Sequence, residues 1–307
     1  MIVDHQTHWY PPAYFEAIRG RRDVPRAERT ADGWRYEPRE GVEHRFTDEW
    51  LSLDGQLAAM EAAGIGAMVS SPALLGDVAH LERPLAVELT TLLNEESADA
   101  QRAHAGRFLG LAMAPLDEPD VLSRAHADGL RGLCVVANGA AGALPLYRRA
   151  DELGMTPFLH PSERSSAAAL TQHRAIEVGV NWMWDTTVAA LSLIYGGVLD
   201  ECPNLTVVHP HLGGTIPYLA ARLAGFERFD ASAAAARPVT EYLRTRFYAD
   251  SLNPTPGALA LGVQLYGLDR ILFASDAPFV DRSVGLAVVR DGLDEADAAR
   301  VFANRVL

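Results

Sequence analysis

Met1-Ile2-Val3-Asp4-His5-Gln6-Thr7-His8-Trp9-Tyr10-Pro11-Pro12 opens the chain. Ile2 and Val3 are the apolar body of a buried strand. Polar, ligand-type residues follow, and Pro11-Pro12 stops the strand because proline cannot donate to a ladder. Side chains alternate between the faces of a strand, so Asp4, Gln6 and His8 share one face and His5 and Thr7 the other. A strand that ends in such residues suits an α/β fold of the (β/α)8 barrel type, in which active sites lie at the C-terminal strand ends.

Further strand-like apolar runs lie at residues 66–70, 107–113, 132–136, 155–160, 205–209, 246–250 and 270–275. Helical segments separate them, at 51–63, 84–105, 118–127, 145–153, 166–178, 186–200, 216–229 and 256–266, and the tail is helical with some turns. Residues 230–237 are alanine-rich and suit a helix or a mobile link. Alternating β and α segments predict a parallel sheet, and eight of them a closed barrel. No second composition regime interrupts the pattern, so a single barrel domain over residues 1–307 is expected. Residues 13–50 are polar and arginine-rich. They read as a long inserted loop that forms a lid or a wall of the site.

An apolar content of 49% in 307 residues is ample for a large core. No run reaches the ~20 apolar residues of a membrane span, and the N-terminus lacks a basic segment followed by an apolar one. Cys134 and Cys202 make neither a disulfide framework nor a cysteine zinc site, so a reducing cytoplasm is expected. The net charge of −13 argues against nucleic acid or an anionic membrane as partner. A small-molecule substrate remains, anionic ones included, because a local arginine can bind them. There is no lysine: every basic residue is arginine. That excludes a lysine Schiff base, a lysine-anchored pyridoxal cofactor and a metal pair bridged by a carboxylated lysine.

The predicted strand ends share one chemistry. The first carries Gln6 and His8, the fifth His160, the sixth His209 and His211, the seventh Asp250 and the eighth Asp276. Imidazoles and a carboxylate are what a mononuclear zinc, manganese or iron site uses. His44, His80, His104, His126 and His173 fall in helices or loops and read as solvated or structural. Trp9, Tyr10, Trp182 and Trp184 are candidate pocket walls, with Gln6, Trp9 and Trp184 as candidate substrate contacts. Asp250 reads as a supporting residue.

These motifs give the chain a specific resemblance. Asp4-His5-Gln6-Thr7-His8, Phe158-Leu159-His160-Pro161, Val208-His209-Pro210-His211-Leu212-Gly213-Gly214 and Ser275-Asp276-Ala277-Pro278-Phe279 occur in this order. In this the chain resembles the amidohydrolase-2 family, the group around aminocarboxymuconate-semialdehyde decarboxylase and the dihydroxybenzoate decarboxylases. The resemblance implies a (β/α)8 barrel of the metal-dependent hydrolase type with one divalent metal, zinc or manganese. It implies His8, His160 and Asp276 as ligands, and His211 with Asp276 as catalytic residues. Relatives are often dimers, so a homodimer is expected.

The chain departs from the family at two positions. Gln6 stands where the family has the first metal-binding histidine, and an amide oxygen is a poor substitute for imidazole on zinc. A weak or absent metal is therefore expected. Gln56 stands where family members often carry an arginine. The resemblance implies non-oxidative decarboxylation of a small carboxylated aromatic or muconate-like acid, with His211 as the acid. Two alternatives stay open. One is a hydrolase of a small cyclic ester or amide, of the metal-independent lactonase type. The other is a repurposed or catalytically silent barrel that binds a small molecule.

Overall fold

A computed structural model describes residues 1–170, 173–229, 233–252 and 255–307. The first strand, β1 (Ile2–Thr7), is followed by β2 (Arg26–Arg29), β3 (Gly33–Arg39) and β4 (Val42–Thr47), which form a separate antiparallel sheet. Next come β5 (Ile65–Ser70), β6 (Phe108–Ala112), β7 (Gly132–Val136), β8 (Thr156–His160), β9 (Val207–His209), β10 (Phe247–Asp250) and β11 (Ile271–Leu272). Together with β1 these make an eight-stranded parallel sheet in chain order. Main-chain bonds join its two ends: His5 N–H to the Phe273 carbonyl (2.8 Å), Asp276 N–H to that of Gln6 (2.9 Å) and His8 N–H to that of Ala277 (2.8 Å). The sheet therefore curls into the expected (β/α)8 barrel.

Every residue of β7 and β8 is buried, as strands covered by helices outside and filled side chains inside must be. Val3, Val69, Leu111, Phe158, Val208 and Leu272 come from strands around the barrel and pack on one another. The outer helices bury one stripe each. Leu144–Leu153 buries Leu146, Tyr147 and Ala150, one turn apart, and stops at Gly154, whose φ of 66° is costly for any other residue. Each large apolar side chain buried this way contributes roughly 1.5–3 kcal/mol. Among the described residues no helix is long and apolar enough to cross a membrane.

Several segments differ from expectation. Within residues 13–50 lie a short helix, Pro12–Ala17, and the β2–β3–β4 sheet. Arg26 and Glu37 are direct cross-strand partners, as are Glu28 and Arg35. Their charges fill the solvent face, while Ala27, Trp34, Tyr36 and Phe46 are buried beneath. The paired charges made this sheet look like a polar loop. The segment read as a helix over 166–178 holds a short turn at Ala168–Leu170 and then Arg174–Ile176 running into a π-helical stretch, Glu177–Asn181, with 171–172 outside the described residues. The next helix starts earlier than expected, at Trp182, and breaks after Tyr195 at Gly196-Gly197 before Val198–Glu201. Of residues 230–237, 230–232 lie outside the described residues, and the rest take no regular structure.

The small sheet is fastened to the loops at the barrel mouth. His44 Nε2 donates to Glu163 Oε1 (3.0 Å), and Arg39 Nη2 donates to Asp77 Oδ1 (3.3 Å). Asp77 Oδ2 accepts the Glu163 amide (2.9 Å). Asp77 and Glu163 are both buried, so removing one carboxylate strands charged partners with little water to replace it. Glu163→Ala is expected to lower stability by about 2–4 kcal/mol and to speed amide exchange across residues 26–47. Urea unfolding with hydrogen exchange checks both, and unchanged exchange there would show that the cluster does not fasten the sheet.

Candidate active site

The polar strand ends meet at one mouth of the barrel. The register between β1 and β5 shifts between Asp4 and Thr7. This irregularity breaks the simple alternation expected for β1. His5, expected on the far face, lines one small interior space together with its chain neighbours Gln6 and Thr7 and with His160. His5 Nδ1 lies 3.3 Å from the Phe273 carbonyl, and burial pushes its pKa down to about 4.

His8 sits just above this space, buried. Its Nδ1 is 3.1 Å from the Ser71 carbonyl, which can only accept, so Nδ1 carries the hydrogen. Its Nε2 is 3.0 Å from Asp276 Oδ1. A bare nitrogen lone pair and a carboxylate oxygen repel each other, so this approach is attractive only with a proton or a cation between them. His160 repeats the pattern: Nδ1 donates to the Pro161 carbonyl (2.8 Å), which leaves Nε2 as its lone-pair atom. The His8 and His160 rings meet edge to face with centroids 5.1 Å apart.

His211 reaches the mouth on an unusual turn after β9. His211, Leu212, Gly213 and Gly214 have φ of 53°, 58°, 81° and 59°. The two glycines are required twice over. A Cβ at 213 would collide with the Tyr266 hydroxyl, and one at 214 would lie 2.5 Å from Thr187 Oγ1. His211 Nδ1 is buried with no partner among the described contacts. Asp276 is also left-handed, with φ of 64°.

The electrostatics couple these groups. Burial pushes the Asp276 carboxyl upward, but the His8 hydrogen bond and the His8, His211 and His160 imidazoles outweigh it, so its pKa lies below the usual value. Burial lowers His211, Asp276 opposes this, and His8 adds to it. His160 is pushed down to about 3, by burial first and then by His8. Its imidazole is thus neutral, the form that binds a metal.

In kind, the donors fit a divalent metal: two imidazoles with Nδ1–H tied to main-chain carbonyls and one ionised carboxylate, the orientation such ligands take. Among the described residues, however, no three His, Cys, Asp or Glu side chains stand gathered as a ready group. The Gln6 amide nitrogen is buried without a partner among the described contacts, so this amide is uncommitted on that side.

Other expected residues are placed differently. Trp9 is turned into the core between barrel and helix, with Nε1 donating to the Leu51 carbonyl (3.0 Å) and its ring edge-on to Phe108. It packs there, and the substrate contact expected of it is corrected to a core role. Trp184 is 50% exposed on the helix Trp182–Tyr195, whose Asp185 accepts from Ser166 beyond β8. Tyr10 is fully buried. Trp182 Nε1 is buried without a partner among the described contacts. His209 is buried with both nitrogens unpartnered among the described contacts, and burial pushes it to about 3. Gln56 donates to the His8 and Trp50 carbonyls at 3.1 and 2.7 Å, so it ties the end of β1 to the helix Leu53–Ala62. The wall that sequence reasoning missed is aromatic: Phe279 lies 5.5 Å from the His8 ring and 5.0 Å from Trp50. Its place three residues after Asp276 was the available signal.

A family model described as amidohydrolase matches residues 3–304. The chain belongs to the amidohydrolase-2 family. Within it, this amidohydrolase is 29% identical to 2-amino-3-carboxymuconate-6-semialdehyde decarboxylase of Dictyostelium discoideum, over 63% of this chain and 57% of that protein. It is also 29% identical to gamma-resorcylate decarboxylase of a Rhizobium species, over 78% of this chain and 79% of that one. Solved structures share the fold. The apo IDCase of Metarhizium anisopliae has a TM-score of 0.83 at 22% identity, covering 98% of this chain and 94% of that one. Dihydroxybenzoic acid decarboxylase of Polaromonas sp. JS666, with bound manganese and the inhibitor 2-nitroresorcinol, has 0.76 at 20% identity, covering 98% and 93%.

Proposed function

We propose that this amidohydrolase removes CO2, without an oxidant, from a small carboxylated aromatic or muconate-like acid. The observation that carries the reading is the convergence of His8, His160, His211 and Asp276 at one mouth, in a chain whose relatives above are named decarboxylases. In the step itself the bond between ring carbon and carboxyl carbon breaks and its electron pair stays on the ring carbon. That carbon takes a proton from the His211 imidazolium, and CO2 leaves. Burial disfavours the imidazolium, but an arriving substrate carboxylate would favour it, as Asp276 already does. Asp276 also holds His8 through Nε2. Phe279 and Trp50, packed edge to face, offer the ring an apolar wall, and Gln6 and Trp184 are the remaining candidates for substrate contact.

His8, His160 and Asp276 would hold a divalent metal. When bound, it would supply positive charge to a substrate hydroxyl or keto oxygen and so stabilise the developing negative charge. The excursion at 13–50 serves as a wall of the site, and the chain works as a single barrel domain in the cytoplasm.

A mass-spectrometric assay tests the function. The protein is incubated with gamma-resorcylate and related hydroxybenzoates, with and without added manganese or zinc. A product lighter by one CO2 is expected. A product heavier by one water would favour a hydrolase, and binding without change a silent barrel.

The chain is further proposed to form a homodimer. The helix Ile216–Phe226 is apolar apart from Arg222, yet only Ile216 is buried; Tyr218 is 82% exposed and Phe226 54%. On a chain of net charge −13, a face without acidic residues is where two copies can meet without strong repulsion. Sedimentation equilibrium at micromolar concentration should give a dimer mass, shifted to monomer by Tyr218→Asp with Phe226→Asp. A monomer before substitution would refute the dimer.

A further inference from the structure

We propose that Asp4 and Asp250 are positioning residues that hold the two strained turns of the active site, a role that rests on the reading of His211 and Asp276 given above. Among the described residues, the only non-glycine residues with positive φ are His211, Leu212 and Asp276. L-residues adopt this conformation at a cost and keep it only where the surroundings over-determine it. Both turns are gripped by a fully buried aspartate on the adjacent strand.

Asp250 ends β10, beside β9. Its Oδ1 accepts the Leu212 amide (3.2 Å) inside the left-handed turn and the Leu252 amide (3.0 Å) of its own strand end. The turn carrying His211 is thereby tied to β10. Asp4 does the same on the other side of the site. Its Oδ1 accepts the Ser275 amide (2.9 Å), and its Oδ2 accepts the Ser275 hydroxyl (2.5 Å). Ser275 Oγ in turn accepts the Ala277 amide (3.2 Å). Asp276 is therefore clamped at both neighbours, with its own side chain left free to face His8.

Packing alone does not account for these aspartates. Neither is within salt-bridge distance of a cation among the described residues, although Arg282 lies near enough to Asp4 for its charge to favour the carboxylate, and one oxygen of Asp250 has no partner there. A buried carboxyl group held by hydrogen bonds to main-chain amides is an expensive way to fill space that alanine or valine could fill. What the carboxylates do supply is acceptors aimed at the amides of the strained turns. Their removal leaves those turns free to relax, and with them the His211 imidazole and the Asp276 carboxylate.

The test uses crystal structures of the full-length variants together with kcat and KM on whichever hydroxybenzoate the unmodified protein decarboxylates fastest. In Asp250→Ala, residues 211–212 should leave the left-handed region and kcat should fall about 10²-fold, with KM within about threefold. Asp250→Asn keeps the acceptor oxygen and should keep both the turn and a kcat within about threefold of the original. Ser275→Ala removes one arm of the Asp4 clamp and should lower kcat about tenfold, with Ser275→Thr restoring it. An Asp250→Ala protein that keeps φ near 53° at residue 211 and full kcat would overturn the proposal. So would an Asp250→Asn protein as slow as the alanine variant, which would make Asp250 a proton carrier. If Asp250→Ala does not fold, the asparagine and Ser275 variants decide. If no compound is decarboxylated, the functional reading fails, while the variant structures still judge the clamps.

Discussion

His211→Ala is expected to lower turnover by about 10²–10⁴ while leaving the fold intact. The magnitude is that of losing a positioned proton donor. The intact fold follows from local structure. The turn at 211–214 is shaped by two glycines and the Asp250 carboxylate, and the imidazole Nδ1 makes no hydrogen bond among the described contacts that its loss would break. Alanine keeps the backbone amide and carbonyl of residue 211. Steady-state rates on the fastest hydroxybenzoate, set beside thermal unfolding curves, check both halves. A folded variant with near-normal turnover would remove His211 from the mechanism.

The second large effect concerns metal affinity. His8 and His160 have their Nδ1–H groups fixed on main-chain carbonyls, and Asp276 is held ionised, so the remaining donors are well prepared. On the family resemblance, Gln6 would leave the proposed set one imidazole short. Zinc should suffer more from this than manganese, which accepts oxygen ligands readily. Gln6→His is therefore expected to raise zinc affinity by at least about 10–100-fold, the size usual for changes just outside the ligands themselves. Calorimetric titration of both chelator-treated proteins at one pH measures it. If the unmodified chain already binds one zinc at nanomolar strength and Gln6→His adds nothing, then Gln6 does not weaken the site.

The barrel was legible because its strands are covered on both faces. Gly132–Val136 and Thr156–His160 read as unbroken apolar runs, and Pro256–Tyr266 was bounded by a proline before and a glycine after. The β2–β4 sheet was not legible, since one face is water and its charges pair across strands. The gathering of His8, His160, His211 and Asp276 was legible, because each stands at or just beyond a predicted strand end. The site was not legible where the backbone decides. His5, Gln6 and Thr7 follow one another on β1 and all line one interior space, which a strict division into two faces does not announce. The carbonyls of Ser71 and Pro161 set the histidine tautomers, and no side chain there announces it. Trp9 follows the first motif directly, yet its ring turns outward into the core.

The most direct test of the central claim is the reaction run in D2O with the fastest hydroxybenzoate and followed by proton and carbon NMR. CO2 release and one deuterium at the carbon that carried the carboxylate are expected, with both lost together in His211→Ala. A product that keeps its carboxyl carbon and has gained the elements of water, or a substrate that is bound and returned unchanged, would contradict the claim.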